Sequence, residues 1–260
     1  MKGMIYDTDR HPIASDVFRA RCKEELDNNG VLVLSGFLTT DSVNSIAMDG
    51  RRCQHLAHYT VNDHNVFLRP PDPAFTDKHP RNRLVQSSKG CITDDQIPTE
   101  SLLHSLYDDA MFREFLCKVL NEQAMHNYAD PLSSINLHYA AEGEELGWHF
   151  DNSSFAITLL IQKPEAGGVF DYVKDLRDAD RDEMNYEAVA RVLDSQADMD
   201  VQSLIMNAGD LVLFRGRNSL HRVTPTQGDV TRMLAVLAYN ARAGVELSES
   251  ARMTFYGRLG

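Results

Sequence analysis

From about residue 133 onward the chain is a succession of short apolar segments separated by Gly, Pro, Asp and Asn. They are 133–140 (SSINLHYA), 155–162 (FAITLLIQ), 169–173 (VFDYV), 202–207 (QSLIMN), 210–216 (DLVLFRG), 221–225 (HRVTP) and 231–240 (TRMLAVLAYN). Each is too short for a stable helix and is bounded by turn residues, so each reads as a strand. A run of strands with no helix-length segment between most of them must close as a sandwich or barrel, because an open sheet of this many strands would leave an apolar face in water.

The first half has a different pattern. Residues 15–29 place Phe18, Cys22 and Leu26 four apart before Asn28-Asn29-Gly30, which predicts an amphipathic helix with its stop. A buried strand is expected at 31–37, then a helix over 41–58 capped by Thr40 or Asp41. Segments 101–108 and 110–120 again show helical spacing. Before them, 59–100 holds five of the nine prolines and no sustained period, which predicts a functional loop or lid. The resulting plan for residues 1–260 is a single domain, mainly β with N-terminal helices. A helical part (1–130) precedes a core of jelly-roll type (131–245), interrupted by an insert at 174–200. In that insert Tyr186, Val189, Ala190 and Leu193 share a helical face.

Charge excludes several function classes. Lys plus Arg is 26 against 38 Asp plus Glu, a net charge of −12. A chain this acidic, with no local Lys/Arg cluster, has no general attraction to nucleic acid or anionic lipid. No stretch approaches the roughly 20 apolar residues of a membrane helix, and residues 1–15 show no signal-peptide core, so a cytoplasmic setting is expected. The four cysteines (22, 53, 91 and 117) are at least 26 residues apart, which leaves no CxxC motif. They read as reduced packing residues. The acidic segment 171–200, with ten acids and four bases, reads as a solvated helical face, with a place flanking the substrate entrance as the alternative.

The chemistry concentrates at Gly147-Trp148-His149-Phe150-Asp151. On extended chain His149 and Asp151 point to one side and Phe150 to the other. His221 follows 72 residues later, at the start of a predicted strand. Two imidazoles and a carboxylate form the facial triad that holds Fe(II) with open positions. A bidentate 2-oxo acid takes two of those positions and O2 the third. Arg232, on the next predicted strand and amid apolar residues, suits the distal carboxylate of such an acid. Arg215, Arg217 and Arg222 are rivals nearer to His221. Asn136 and His138 share one face of their strand, Leu137 and Tyr139 the other, and one of these faces must line the interior. Asn136, Tyr139 and Thr158 are therefore candidate hydrogen-bond partners of the cosubstrate. His55, His58 and His64 lie near Cys53, but no second ligand pair gives zinc spacing.

This constellation resembles the Fe(II)/2-oxoglutarate-dependent oxygenase superfamily. More narrowly, HFDNSSFAITLLIQKPEAGGVFDYV, NAGDLVLFRGRNSLHRVTP and the closing TFYGR resemble a subgroup of free-amino-acid hydroxylases and halogenases. The resemblance implies a double-stranded β-helix (cupin-like), Fe(II), 2-oxoglutarate and O2 as cosubstrate. It also implies oxidation of an unactivated C–H bond of a small metabolite, with release of succinate and CO2. Halogenases of that subgroup have a small residue, usually Gly, where the carboxylate ligand would be. Asp151 stands there and repels an anion, which favours hydroxylation, desaturation or cyclisation over halogenation. A free amino acid would need a cation for its carboxylate. Arg81, Arg83 and Lys89 are the candidates, and Trp148, the only tryptophan, either packs beside the site or touches substrate. A homodimer is compatible with the sequence. The competing reading is a non-oxidative cupin-type metal-binding protein or isomerase, although such sites typically use His-x-His plus Glu.

Overall fold

Ser15 accepts a hydrogen bond from the Phe18 N–H and starts α1 (Asp16–Asn29), which ends at Gly30 in the left-handed region (φ 73°). The computed structural model describes residues 4–260. Phe18, Cys22 and Leu26 are buried, as their spacing requires. Strand β1 (Val31–Leu34) follows, then α2 (Thr40–Cys53), whose cap is Thr39 and not Thr40 or Asp41. The helix breaks after Cys53 into a single 3-10 turn, so it stops short of residue 58.

His58 instead opens β2 (His58–Asn65), which pairs with β3 (Leu84–Ile92) in continuous antiparallel register from His58↔Cys91 to Asn65↔Leu84. The expected 59–100 loop is therefore corrected. Most of it forms a hairpin and it closes with a 3-10 turn (Asp94–Gln96), leaving 66–83, with Pro70, Pro71, Pro73 and Pro80, and the short stretch around Pro98 irregular. The hairpin gives little apolar alternation because Tyr59, Val61 and Leu84 are exposed. Helices α3 (Leu102–Tyr107) and α4 (Ala110–Leu120) come next, the second capped by Asp109 and ended at left-handed Asn121.

The second half supplies β4 (Ile135–Ala140), β5 (Leu146–His149), β6 (Ala156–Gln162), β7 (Ala166–Gly167) and β8 (Phe170–Val173). The insert contributes α5 (Tyr186–Leu193). Then come β9 (Gln202–Leu204), β10 (Leu211–Phe214), β11 (Leu220–Val223), β12 (Thr226–Gln227), β13 (Arg232–Leu237) and a C-terminal helix α6 (Glu249–Tyr256). All pairings are antiparallel, and one sheet runs β1-β10-β6-β13-β4-β3-β5-β11-β8-β9 with β2 outside β3. The sheet curls until its two ends touch. The ring of Phe214 on β10 lies 4.9 Å from Phe170 on β8 and 4.8 Å from His221 on β11. This is the expected jelly roll.

Alternation along the strands assigns each residue a side. Met233, Ala235 and Leu237 of β13 join Leu137, Tyr139, Ile157, Leu159 and the helices in the main core outside the curl. Leu160, Tyr172, Val212 and Phe214 pack inside it, with Leu234 against them. A third cluster, holding Val66, Phe67, Trp148, Phe150, Val189 and Val192, ties the 66–83 loop and α5 to the outer side of β5 and β11. The acidic insert is thus anchored by the apolar face of α5.

Candidate metal centre and cosubstrate pocket

His149 reaches the interior through a β-bulge. Leu146 pairs with Val223 and His149 with His221, so three steps on β5 oppose two on β11. The extra residue turns Trp148 outward and His149 inward. Gly147 permits this, because a Cβ there would stand 2.4 Å from the Gln86 carbonyl oxygen. The Phe150 N–H then donates to the Val66 carbonyl and the Asp151 N–H to the Gly216 carbonyl. Phe150 is fully buried against Phe67, while Asp151 turns back toward His149.

The three ligand groups meet. Their nearest atoms lie within 4.8 Å of one another. The Asp151 Oδ1 is 3.8 Å from His149 Nε2 and 3.5 Å from His221 Nε2. Two atoms each bound at ~2.0–2.2 Å from one ion can be at most about 4.4 Å apart, so both separations fit a single metal. The hydrogen bonds fix the tautomers. His149 Nδ1 lies 2.8 Å from the Gly147 carbonyl and His221 Nδ1 3.0 Å from that of Ser219. A carbonyl only accepts, so each Nδ1 carries the proton and each Nε2 presents a lone pair inward. Burial pushes the His149 ring down to about 3, which keeps it neutral. Burial alone would raise Asp151, but positive charge at its neighbours, His221 first and then His149 and Lys89, holds it below the usual carboxylate range; with both imidazoles neutral that role passes to a bound cation. Its Oδ2 is buried and has no partner in the protein. Oδ1 is the oxygen that faces the two imidazoles, and a cation bound there would offset the cost of holding this ionised carboxylate with so few partners.

Gly216 makes room for Asp151 Oδ2. A Cβ at Gly216 would fall on the Asp151 carboxylate, in collision with Oδ2. Gly216→Ala should therefore swing the carboxylate out of position. We expect Fe(II) affinity to fall by roughly 10–100-fold, the size of effect seen when groups that orient a ligand are lost, with the melting temperature little changed. Anaerobic calorimetry measures this, and unaltered affinity would contradict the assignment.

Arg232 is 6% exposed and lies on the inner side of β13, beside small Ala140 on β4. Its Nε has no partner, and burial lowers its pKa to about 10. Gly168, in the left-handed region at φ 59°, clears its side chain, because a Cβ there would sit 2.9 Å from Arg232 Cδ. The rivals are engaged elsewhere. Arg215 pairs with Asp27, Arg217 with Asp180, and Arg222 with Asp171 while stacking on Trp148. Of the four, Arg232 alone is a buried cation without a carboxylate, which suits a dianionic cosubstrate.

The remaining candidates divide. Tyr139 lies on the other face of β4, in the main core, and donates to the Gly50 carbonyl, so it does not reach this pocket. Asn136 does face inward, but its amide donates to the Leu132 and Ile135 carbonyls and its oxygen accepts from the Tyr256 hydroxyl. Thr158 pairs with Val236 and Val212 and alternates with the outward Ile157 and Leu159. Trp148 packs outward in the third cluster and does not contact the pocket. Arg81 donates to the Pro70 carbonyl, and Arg83 pairs with Asp194 and the Leu193 carbonyl, so neither is presented to the interior. Lys89 is. It lines a cavity of about 230 Å³ together with His138, Asn136, Val236, Phe255 and Tyr256. His64 is edge-on to His149 at 6.3 Å but bonds to Ser87 and stays outside the ligand group.

Sequence reasoning missed Arg177. Its guanidinium sits 4.0 Å over Phe150 and its Nε donates to the Arg217 carbonyl. It thereby clamps the segment carrying Asp151 to the loop preceding His221. Nothing local marks it, because it lies within the acidic insert.

A family model described as Halogenase D matches residues 17–254. No curated protein matches the chain by sequence. Among solved structures it resembles the non-haem α-ketoglutarate-dependent carbocyclase SnoK from nogalamycin biosynthesis (12% identity, 89% of each chain, TM-score 0.59). It also resembles the epimerase SnoN from the same biosynthesis (10% identity, 87% of this chain and 83% of that one, TM-score 0.57). A third match is a Pseudomonas putida prolyl-4-hydroxylase (15% identity, 85% and 98%, TM-score 0.52). At these identities the structures establish the fold, and the family model spans nearly the whole chain. The chain belongs to the halogenase D family, and it has the fold of the solved non-haem α-ketoglutarate-dependent enzymes.

Proposed function

We propose that this Fe(II)/2-oxoglutarate-dependent oxygenase hydroxylates an unactivated C–H bond of a small metabolite, a free amino acid or a derivative of one. The observation that carries the reading is the inward His149–Asp151–His221 group facing the same interior as the unpartnered Arg232. When bound, Fe(II) and 2-oxoglutarate supply O2 activation with release of succinate and CO2.

The chain's own part is binding, orientation and exclusion of water. His149, Asp151 and His221 hold the metal, and Arg232 takes the distal carboxylate of the cosubstrate. Phe170 and Phe214 flank His221 and keep that side dry. Asp151 occupies the coordination position that a halide would need, which supports oxygen transfer over halogenation despite the family's name. Lys89 in the cavity is the cation a substrate carboxylate requires. No helix among the described residues is long and apolar enough to cross a membrane. The unpaired cysteines agree with a reducing, cytoplasmic setting.

The test is a screen of amino acids and their derivatives for stimulated succinate release, in chloride-containing buffer, with product masses recorded. Products heavier by one oxygen atom are expected. A product with chlorine's two-isotope pattern would overturn the reaction assignment. A loss of two hydrogens would replace hydroxylation by desaturation or cyclisation.

A further inference from the structure

Strand β5, which carries His149, has a short attachment to β3. Ser87 and Leu146 stand in register, and the Ser88 N–H donates to the Glu145 carbonyl. Two serine hydroxyls add to this. Ser88 Oγ accepts from the Glu145 N–H at 3.2 Å, and Ser87 Oγ accepts from the Gly147 N–H at 2.9 Å.

His149 depends on Gly147. The Gly147 carbonyl accepts from His149 Nδ1 at 2.8 Å, which sets the ring's orientation and leaves Nε2 toward Asp151 and His221. The bulge requires glycine there, because a Cβ would meet the Gln86 carbonyl. A residue without a Cβ restricts its own φ and ψ least, so its conformation must be fixed from outside. The Ser87 hydroxyl does so at the N–H.

That hydroxyl is itself held. His64 Nδ1 lies 3.1 Å from the Asn65 carbonyl oxygen, which only accepts, so Nδ1 carries the proton. His64 Nε2, 2.7 Å from Ser87 Oγ, therefore accepts from the Ser87 hydroxyl. This turns a Ser87 lone pair toward the Gly147 N–H. A continuous line runs from His64 through Ser87 and Gly147 to His149, with every donor given an acceptor.

Resting on the oxygenase reading above, we infer that Ser87 and His64 are positioning residues for the metal centre. They fix Gly147 and, through its carbonyl, the imidazole of His149.

The test is anaerobic calorimetry of the full chain with Fe(II) alone, beside thermal unfolding in chelator. Ser87→Ala should weaken Fe(II) binding roughly 10–100-fold, as loss of a group that orients a ligand does. Ser88→Ala is the control, because it removes the neighbouring hydroxyl from the same strand edge and leaves Gly147 held. Its Fe(II) affinity should stay within about twofold of wild type. Both variants should melt about 2–4 °C lower in chelator, the effect of one lost hydrogen bond in a domain of this size. Ser87→Thr keeps the hydroxyl and should recover most of the affinity. His64→Phe keeps a ring and removes the acceptor, and should cost about threefold or more. It tests the same line if Ser87→Ala does not fold. Equal losses in Ser87→Ala and Ser88→Ala would overturn the inference, since the hydroxyls would then serve only the strand edge. So would wild-type Fe(II) affinity in Ser87→Ala or in His64→Phe, or a loss in Ser87→Thr as large as in Ser87→Ala. A wild-type protein that binds no Fe(II) would instead defeat the oxygenase reading.

Discussion

Asp151→Ala should abolish iron-dependent succinate release and lower Fe(II) affinity beyond the roughly 10–100-fold that loss of an outer-shell partner costs. The carboxylate is the only anionic member of the triad, because both imidazoles present neutral Nε2 atoms. Without it a divalent ion keeps its full charge inside a curl lined by Leu160, Val212 and Phe214. The metal-free protein should respond in the opposite sense. The substitution removes a partly buried carboxylate whose Oδ2 is buried without a partner, and such a group stabilises a fold little or not at all when no cation is present. Thermal unfolding in chelator is therefore expected to be unchanged or shifted upward. A variant that still turns over after iron reconstitution, or one that fails to fold in chelator, would contradict the role given to Asp151.

Arg232→Met is expected to raise the 2-oxoglutarate requirement by about 2–5 kcal/mol, or roughly 30- to 5000-fold, the usual cost of truncating one partner of a buried charge pair. Fe(II) affinity in the absence of cosubstrate should change little. Met keeps the unbranched apolar stem that packs over Gly168 and removes only the charge. Arg232→Lys should recover part of the loss as a point charge without the bidentate fork. The control is Arg222→Met, because Arg222 is nearer to His221 in sequence but already pairs with Asp171 and covers Trp148. If Arg222→Met shifted the 2-oxoglutarate dependence and Arg232→Met did not, the cosubstrate would have been assigned to the wrong arginine.

The choice between these arginines shows where sequence reading ends. Apolar neighbours suggested that Arg232 points inward, yet the partners that remove its rivals are Asp27, Asp180 and Asp171, dispersed along the chain and joined only by folding. The strands around the curl were legible because β4, β6, β10 and β13 are apolar runs buried on both faces or nearly so. Strand β5 was not legible. It has four residues and a bulge at Gly147-Trp148 that breaks alternation, although it carries His149 into the site. The β2–β3 hairpin escaped for a related reason, since exposed Tyr59, Val61 and Leu84 leave no apolar stripe. Alternation did separate Asn136 from Tyr139, but which face was inside depended on the direction of curl. The helices that pack on Leu137 and Tyr139 decide that.

The meeting of His149, Asp151 and His221 was readable from His149-x-Asp151 and a later strand histidine, because a group able to hold a metal calls for those residue types. Gly216 and Arg177 were not, because they serve Asp151 through space. One leaves a vacancy for its carboxylate, and the other clamps its backbone segment through Phe150.

The most direct test of the central claim is the visible spectrum of the anaerobic protein titrated with Fe(II) and 2-oxoglutarate. A weak metal-to-ligand charge-transfer band should appear only when both are present, and should be lost in Arg232→Met at cosubstrate concentrations that saturate the wild type. Binding of both ligands by calorimetry with no such band would contradict chelation of 2-oxoglutarate at the His149–Asp151–His221 centre.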